Sequence, residues 1–514
     1  MCGIFGIANR DQHVFSEIYD GLLMLQHRGQ DAAGMVTYNG EFFSERKSNG
    51  LVKDVFSASD AENLTGKIGI GHVRYPTAGS LNAVEAQPFF VNAPYGIYLI
   101  HNGNLTNTAE QRKKITGKYS RHLRTTSDSE ILLNVLADKI SDSIKVLGNK
   151  DPLSNVFEGV KMTMERIEGA YSVITLIDGV GMLAFRDPNG IRPLSVARRD
   201  ATDGGHDYAF ASEDVAFGMI GFKKLRDVAP GEAVLIDLEG QMHSFQAAKG
   251  ALHPCIFEFV YLARPDSMID SISVYKTQLR MGQRLALQIQ ASGLEIDSII
   301  PVPDSARPVA LEVAKATGLK YREGLVKNRY VGRTFIMPGQ SERQKSIRRK
   351  LNAIPLEFEG RNVLLIDDSI VRGNTIQQIV QMCRDAGAKK VFVASASPPV
   401  KYPNVYGIDM PTKHEFIANG LTVDEIRQKL GADALFYQHL DDLIWAAQEG
   451  NSEIELFDCS CFDGKYVTGS ISPEYLETLE QSSRVSKKVK DMPKPGSSWN
   501  APLMVDQAPL ATAD

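Results

Sequence analysis

The chain has 514 residues, 43% hydrophobic and 23% charged, with a net charge of -5. That length exceeds one ordinary core and predicts two domains or slightly more, while the mixed, slightly acidic charge excludes a general nucleic-acid binder. Five cysteines make no disulfide framework, no apolar run reaches the roughly 18 residues that cross a membrane, and no signal peptide is visible. A reducing cytoplasm is therefore expected, with neither nucleic acid nor membrane as a partner.

Cys2 opens the run Cys2-Gly3-Ile4-Phe5-Gly6-Ile7. Methionine is readily trimmed before a small residue, so Cys2 is expected to become the N-terminus, with a thiol and a free amine on one residue. An α-amine with a pKa near ~8 is a base for its own side chain near neutral pH. A cysteine that only packs in a strand is the duller reading, and the residues downstream reverse it. Strands are predicted at Ile68 to Arg74, Gly96 to Ile100 and Tyr171 to Ile177, separated by Gly, Asn and Pro turns. Ser127 to Ile140 carries apolar residues at helical spacing, with Ser127 or Asp128 as its cap.

A thiolate attacking a carboxamide needs donors for the developing oxyanion. Asn102-Gly103, directly after a strand ending at His101, offers a side-chain amide and a backbone N–H. Arg74 suits the α-carboxylate of glutamine through a two-pronged contact, and Asp128 suits its α-ammonium. Taken singly these residues read as an ion pair, a hairpin turn and a helix cap.

The text turns small and polar from Gly240 to Pro254, and a boundary is expected there. Strands then alternate with helices: a strand at Ser298 to Val302, a helix from Pro308 to Thr317 closed by Gly318, a buried strand at Val363 to Ile366, a helix from Thr375 to Asp385, and a strand at Val391 to Ala394. That series implies a parallel sheet covered by helices. Ser341 to Lys350 is a basic run expected to be solvated and mobile, and the chain past about 485 is expected to fray.

The strongest local signal is Val363 to Thr375. Four apolar residues are followed by Asp367-Asp368, then by Ser369-Ile370-Val371-Arg372-Gly373-Asn374-Thr375. Ligands of open parallel sheets bind outside the carboxyl ends of the strands. Loop amides and a helix N-terminus can wrap a phosphate there, with hydroxyls from Ser369 and Thr375. The acid pair cannot grip phosphate; it can hold ribose hydroxyls, or Mg²⁺ bound to pyrophosphate.

All thirteen positions resemble the phosphoribosyl pyrophosphate (PRPP) signature of type I phosphoribosyltransferases. The resemblance implies that Asp367 and Asp368 hold ribose hydroxyls or metal, and that Ser369, Arg372, Gly373, Asn374 and Thr375 hold the 5′-phosphate. It also implies that Ser305 lies where pyrophosphate and Mg²⁺ bind. Lys327-Asn328-Arg329-Tyr330-Val331-Gly332-Arg333 looks like the lid that closes over PRPP, with Lys327, Arg329, Tyr330 and Arg333 as its working residues; closure would exclude water.

In the first half, Cys2-Gly3-Ile4, Gln26 to Asp31, Gly71 to Tyr75, His101 to Leu105 and Ser127 to Glu130 resemble class II glutamine amidotransferases, members of the N-terminal nucleophile hydrolases. The family roles fall on Cys2 as nucleophile, Asn102 and Gly103 as oxyanion hole, and Arg74 and Asp128 as glutamine ligands. The two halves in this order are similar to the amidophosphoribosyltransferase family. Tyr261 to Ser267, Phe335 to Gly339 and Tyr406-Gly407-Ile408-Asp409-Met410 add to the likeness.

The resemblance implies an α/β chain: an αββα sandwich over 2–240, a phosphoribosyltransferase domain with a mainly parallel sheet over 255–470, and a helical or flexible tail over 471–514. It implies transfer of NH₃ from glutamine, through a sealed path, to C1 of PRPP in purine synthesis. It further implies one Mg²⁺ per subunit, a homotetramer and feedback inhibition by purine nucleotides. Some relatives carry a propeptide and a four-cysteine iron–sulfur cluster. Here Cys2 directly follows Met1, so no propeptide is expected. Asn404 stands where a cluster cysteine would be, and Cys459-Ser460-Cys461 is cramped for cluster thiolates, so no cluster is expected; Cys255, Cys383, Cys459 and Cys461 then read as small buried apolar residues. A glucosamine-6-phosphate synthase-like enzyme would lack the Asp367-Asp368 run. A PRPP-sensing repressor would leave Cys2, Arg74, Asn102 and Asp128 unexplained.

Overall fold

The computed structural model describes residues 2–75, 83–118, 121–148, 151–328, 350–410 and 412–481. Two antiparallel sheets stack in the first half. The seven-stranded sheet runs in the order Lys223–Asp227, Ser195–Asp200, His206–Ala211, Gly3–Ala8, Ile68–Arg74, Ala32–Tyr38, Phe43–Asn49. The six-stranded sheet runs Met242–Gln246, Glu232–Asp237, Gly181–Arg186, Gly169–Ile177, Ile97–Leu105, Phe89–Val91.

The strand Gly3–Ala8 is buried on both faces, which explains its apolar run. Side chains alternate across a strand. Ile4 and Ala8 accordingly enter the core between the sheets with Ile70, Ile100, Ile174 and Phe210. Phe5 and Ile7 point outward, beneath the helix Phe15–Met24 and its Ile18 and Leu22. The helices Asp128–Leu147 and Pro152–Met164 cover the outer face of the other sheet through Ile131, Val135, Ile140, Val156 and Val160. Four layers result: helix, sheet, sheet, helices. The Ser127 hydroxyl caps the first of these two helices by accepting from the Ser129 amide at 3.2 Å, as its sequence predicts.

A five-stranded sheet organises the second half, in the order Lys320–Tyr321, Ser298–Pro301, Asn362–Asp367, Lys390–Ser395, Ala434–Tyr437. Every neighbouring pair is parallel. Residues of the helices Val274–Ala291, Arg307–Thr317 and Leu440–Gln448 pack in one core with Ile299, Leu364 and Phe392. Those of Asn374–Asp385 and Val423–Leu430 pack in a second core with Ile300, Leu365 and Val393, whose side chains alternate to the other face. The strands Leu325–Lys327 and Leu351–Ala353 pair antiparallel beside this sheet. A helix over 473–481 follows, and Tyr475, Leu476 and Leu479 rest on the first of these cores. No helix among the described residues is long and apolar enough to cross a membrane.

Buried ions tie the two halves together. Arg186, on a strand of the six-stranded sheet, donates to both carboxylate oxygens of Asp270 at 2.8 and 2.9 Å. Both side chains are almost fully buried. The remaining guanidinium hydrogens go to the carbonyls of Arg192, Val228 and Gly190. Asp270 and Ser271 turn the hairpin between Met268–Ile269 and Ile272–Ser273 at φ 49 and 65°. Removing the charge at Asp270 strands a buried guanidinium, a loss that approaches about 3–5 kcal/mol. Asp270→Asn keeps a residue that tolerates left-handed backbone and is expected to lower the melting temperature by several degrees. An unchanged melt, read by circular dichroism, would show that the pair does not hold the halves together.

Candidate functional site

Cys2 lies at the head of the strand Gly3–Ala8, half-buried. Its amide nitrogen donates to Asn102 Oδ1 at 3.2 Å, and its Sγ lies 3.8 Å from the Tyr75 carbonyl. Because the Cys2 N–H needs an acceptor, the Asn102 carboxamide is turned oxygen-first toward it. Its Nδ2 then points elsewhere, buried and with no protein partner. An orphaned buried donor costs about 1–3 kcal/mol, and a free donor of this kind is what a developing oxyanion can use.

Asn102 and Gly103 are not beyond the end of their strand, as expected, but inside it. The strand runs Ile97–Leu105, and Asn102 and Gly103 face Ser172 and Tyr171 in register. The dipeptide reads as a turn because Asn-Gly favours positive φ. Here only Gly103 adopts it, at φ 151°, and a Cβ there would meet the Ala170 carbonyl oxygen at 2.0 Å.

Arg74 ends the neighbouring strand Ile68–Arg74, nearly buried. Its guanidinium donates to Glu85 at 2.7 Å and to Asp31 at 3.4 Å. Asp128, the first residue of its helix, accepts from the Leu105 amide at 3.1 Å and sits 3.8 Å from His101 Nδ1. Asp128 thus secures the end of the Asn102 strand, while two of its predicted companions, Cys2 and Asn102, are joined directly. Burial, and the nearby positive charge of Arg74, push the His72 imidazole down to about 3; it is neutral and bonds the His101 carbonyl at 3.3 Å.

A charged cluster behind Cys2 is only partly announced by the sequence. Arg28 Nε donates to the Cys2 carbonyl at 3.1 Å. The same guanidinium bonds Glu213 at 2.5 Å and Glu258 at 3.0 and 3.2 Å, and Arg192 reaches Glu258 at 3.2 Å. Burial would raise the Glu213 carboxyl, but the charges of Arg28 and His27 hold it well below the usual carboxylate range. Arg28 belongs to a motif of the sequence, but Glu258 lies 230 residues away and nothing local announces it.

The second constellation sits at the carboxyl end of the central parallel strand Asn362–Asp367. Asp367 Oδ1 accepts from the Asp368 amide at 3.0 Å. Asp368 accepts from the Ser369 hydroxyl at 2.6 Å and from the Ser305 hydroxyl. Ser305 comes from the loop after the next strand, Ser298–Pro301, so the two loops close on one point. Burial, and for Asp367 the charge of Asp368, push both carboxyls up. Arg372 bonds Glu415 at 2.5 Å. Gly373, at φ 77°, precedes the helix Asn374–Asp385, whose first two residues are Asn374 and Thr375. Lys327 Nζ bonds Asp304 at 3.0 Å, across the same loop as Ser305. The other expected lid residues, Arg329, Tyr330 and Arg333, lie outside the described residues, as does most of the basic run 341–350.

Among the described residues no group of three or more His, Cys, Asp or Glu could hold a metal ion. Two carboxylates and a hydroxyl from Asp367, Asp368 and Ser305 are hard oxygen donors, the set that suits Mg²⁺ when substrate phosphates complete its shell. Cys255, Cys383, Cys459 and Cys461 are all buried. Burial pushes the Cys255 thiol up to about 12. Asn404 is also buried, its Oδ1 accepting from the Tyr406 and Ile408 amides at 2.9 and 3.1 Å.

The fold and these two constellations define a class, an amidotransferase drawing nitrogen from glutamine. A family model described as "Glutamine amidotransferase domain" matches residues 77–218. A relative named amidophosphoribosyltransferase, from Pasteurella multocida, is 54% identical over 497 residues, covering 96% of this chain and 98% of its own length. One of the same name from Escherichia coli is 54% identical over 484 residues, covering 93% and 95%. The solved glutamine PRPP amidotransferase from B. subtilis, complexed with ADP and GMP, superposes with a TM-score of 0.79 at 37% identity, covering 92% of this chain and 98% of that one.

The chain belongs to the amidophosphoribosyltransferase family. It transfers the amide nitrogen of glutamine to C1 of PRPP, giving 5-phosphoribosylamine, glutamate and pyrophosphate, the first committed step of purine biosynthesis. Its first half has the N-terminal nucleophile hydrolase fold and its second that of a phosphoribosyltransferase.

Proposed function

We propose that Cys2 is the nucleophile of the glutaminase step, with Asn102 Nδ2 and the Gly103 N–H as its oxyanion donors. The observation that carries this reading is the Asn102 side chain, bonded through Oδ1 to the Cys2 nitrogen while its Nδ2 stays buried and unpartnered. The α-amine of Cys2, once Met1 is trimmed, takes the thiol proton. The thiolate then attacks the side-chain carbonyl of glutamine; NH₃ leaves with the returned proton, and water resolves the thioester to glutamate. Arg74 pairs with the α-carboxylate of glutamine, sharing its guanidinium with Asp31 and Glu85, and Asp128 pairs with the α-ammonium. This glutaminase unit spans 2–240 and is completed by the strand Met242–Gln246.

Over 255–470, the phosphoribosyltransferase unit, Asp367 and Asp368 hold the ribose hydroxyls of PRPP. Ser369, Arg372, Gly373, Asn374 and Thr375 hold its 5′-phosphate, and Lys327, Arg329, Tyr330 and Arg333 close over it. Ser305 with the acid pair would hold one Mg²⁺ per subunit, which neutralises the departing pyrophosphate. The NH₃ attacks C1 as pyrophosphate leaves. Protonated in bulk water it would cease to be a nucleophile, so it passes through an enclosed path that forms when PRPP binds. Support comes from the bond between Asn104 Nδ2 and the Val405 carbonyl, 2.9 Å, which joins the Asn102 strand to the second half.

The test is glutamate release from glutamine with and without PRPP·Mg²⁺. Release is expected to rise at least about tenfold with PRPP, in step with pyrophosphate; release indifferent to PRPP would sink the coupled reading. The same reading has the enzyme act as a cytoplasmic homotetramer, inhibited by purine nucleotides, as the ADP and GMP of the B. subtilis complex suggest. It also works without an iron–sulfur cluster: cluster ligands are thiolates, whereas Asn404, where such relatives place a cysteine, is committed to backbone amides. Purified protein is expected to carry background iron only, and stoichiometric iron would overturn this.

A further inference from the structure

The run Tyr406-Gly407-Ile408-Asp409-Met410 strengthens the family likeness but has no part in the chemistry above. Its place in the fold gives it one. The Asn404 amide bonds the Met410 carbonyl at 3.0 Å, and Asn404 Oδ1 takes the amides of Tyr406 and Ile408, so the loop is closed on itself. Tyr406 is wholly buried and anchors it, its hydroxyl bonded to Thr468 Oγ1 at 2.9 Å. The tip, Gly407 at φ 102°, lies directly on Gly103 of the other half.

No side chain intervenes between these two glycines. A Cβ on Gly407 would come within 2.8 Å of the Gly103 carbonyl carbon and oxygen, and within 3.1 Å of its Cα. From its far side Gly103 is confined by the Ala170 carbonyl, which a Cβ on Gly103 would meet at 2.0 Å. Gly103 and its carbonyl are therefore clamped between a strand of their own sheet and a self-bonded loop from the phosphoribosyltransferase half. That loop continues to Glu415 and Ile417, which bond Arg372 and the Val371 carbonyl at 2.5 and 2.9 Å. One segment touches both sites.

We propose that Gly407 is a positioning residue for the glutaminase step. Its backbone sets where Gly103 stands and ties that position to the half of the protein that binds PRPP. The inference rests on the reading of Asn102 and Gly103 as oxyanion donors. A methyl group at position 407 displaces Gly103, and with it the donor pair, without entering the glutamine or PRPP sites. A shift of the donors weakens the transition state more than the ground state.

The test is Gly407→Ala, assayed for phosphoribosylamine formation with glutamine and, separately, with ammonium salts, which bypass the glutaminase. The expected result is a fall in the glutamine-dependent kcat of about tenfold to a hundredfold, below the about 10²–10³-fold of deleting such a donor outright. The KM for glutamine and the ammonia-dependent rate are expected to stay within about twofold. Equal loss of both activities would mark a merely structural role, and no loss of either would show that the contact is idle; both overturn the proposal. If Gly407→Ala is insoluble, Asn104→Ala, which cuts the side-chain tether to Val405, must give the same split in smaller measure, and an absence of the split overturns it equally. Cys2→Ala in the same assay separates the two readings. If it keeps glutamine-dependent activity, the oxyanion assignment falls; if it loses that activity while Gly407→Ala is silent, only the present inference falls.

Discussion

Cys2→Ala is expected to abolish glutamine-dependent synthesis, by at least about 10⁴-fold, while ammonia-dependent synthesis stays within about twofold. The reason is topological as well as chemical. Cys2 is held through its backbone, by Asn102 Oδ1 on the amide and Arg28 on the carbonyl. Replacing the side chain leaves both bonds and the strand behind them intact. The variant therefore separates the thiol from everything the N-terminal strand does for the fold. If glutamate still formed at a substantial rate, another nucleophile would have to be found; if ammonia-dependent synthesis fell as far, Cys2 would serve the whole molecule rather than one step.

The second large effect lies at the acid pair. Asp367→Asn and Asp368→Asn are each expected to lower PRPP turnover by about 10²–10³-fold, the scale of losing one preorganised charge, with glutamine and ammonia alike. That pattern is the opposite of the Cys2 variant, and glutamate release should lose its response to PRPP as well. Stability should move the other way. The two carboxyls are pushed up by burial, and Asp367 also by the charge of Asp368, so their ionised forms at neutral pH oppose folding. Removing one charge is expected to raise the melting temperature by a few degrees, at about 2–4 °C per kcal/mol. Loss of activity together with a lower melt would mean that the pair is architectural. Retained activity would remove the carboxylates from the reaction.

The centre of the second constellation was legible because it is written in one stretch, with Ser305 and Lys327 coming from elsewhere. Strand, acid pair, loop and helix follow one another, and the structure extends the strand by only one residue at each end, to Asn362–Asp367. The helix after Ser127 was legible for the same reason, since a hydroxyl before an apolar period is a local signal. The glutaminase site is assembled from distant pieces. Its residues could be named one by one, but the placement of Asn102 in mid-strand could not, because a strand is held by its partner and the partner here is Gly169–Ile177. The acids that hold Arg74 and the Arg28–Glu258 pair were beyond reach, since burial decides them and burial is a property of the whole fold.

The strand that follows Cys2 is also enclosed by residues far along the chain. It lies between Ile68–Arg74 and His206–Ala211, and the Ile4 amide finds its partner, Ser212 Oγ, 208 residues downstream. At ~5–20 residues per second of translation, the interval is roughly 10–40 s. For that time the strand Gly3–Ala8 lacks one flank, and Ile4 and Ala8 lack part of the core they share with Phe210. The backbone frame that holds Cys2 is therefore finished only when a distant segment arrives, so damage to the middle of the chain is felt at Cys2.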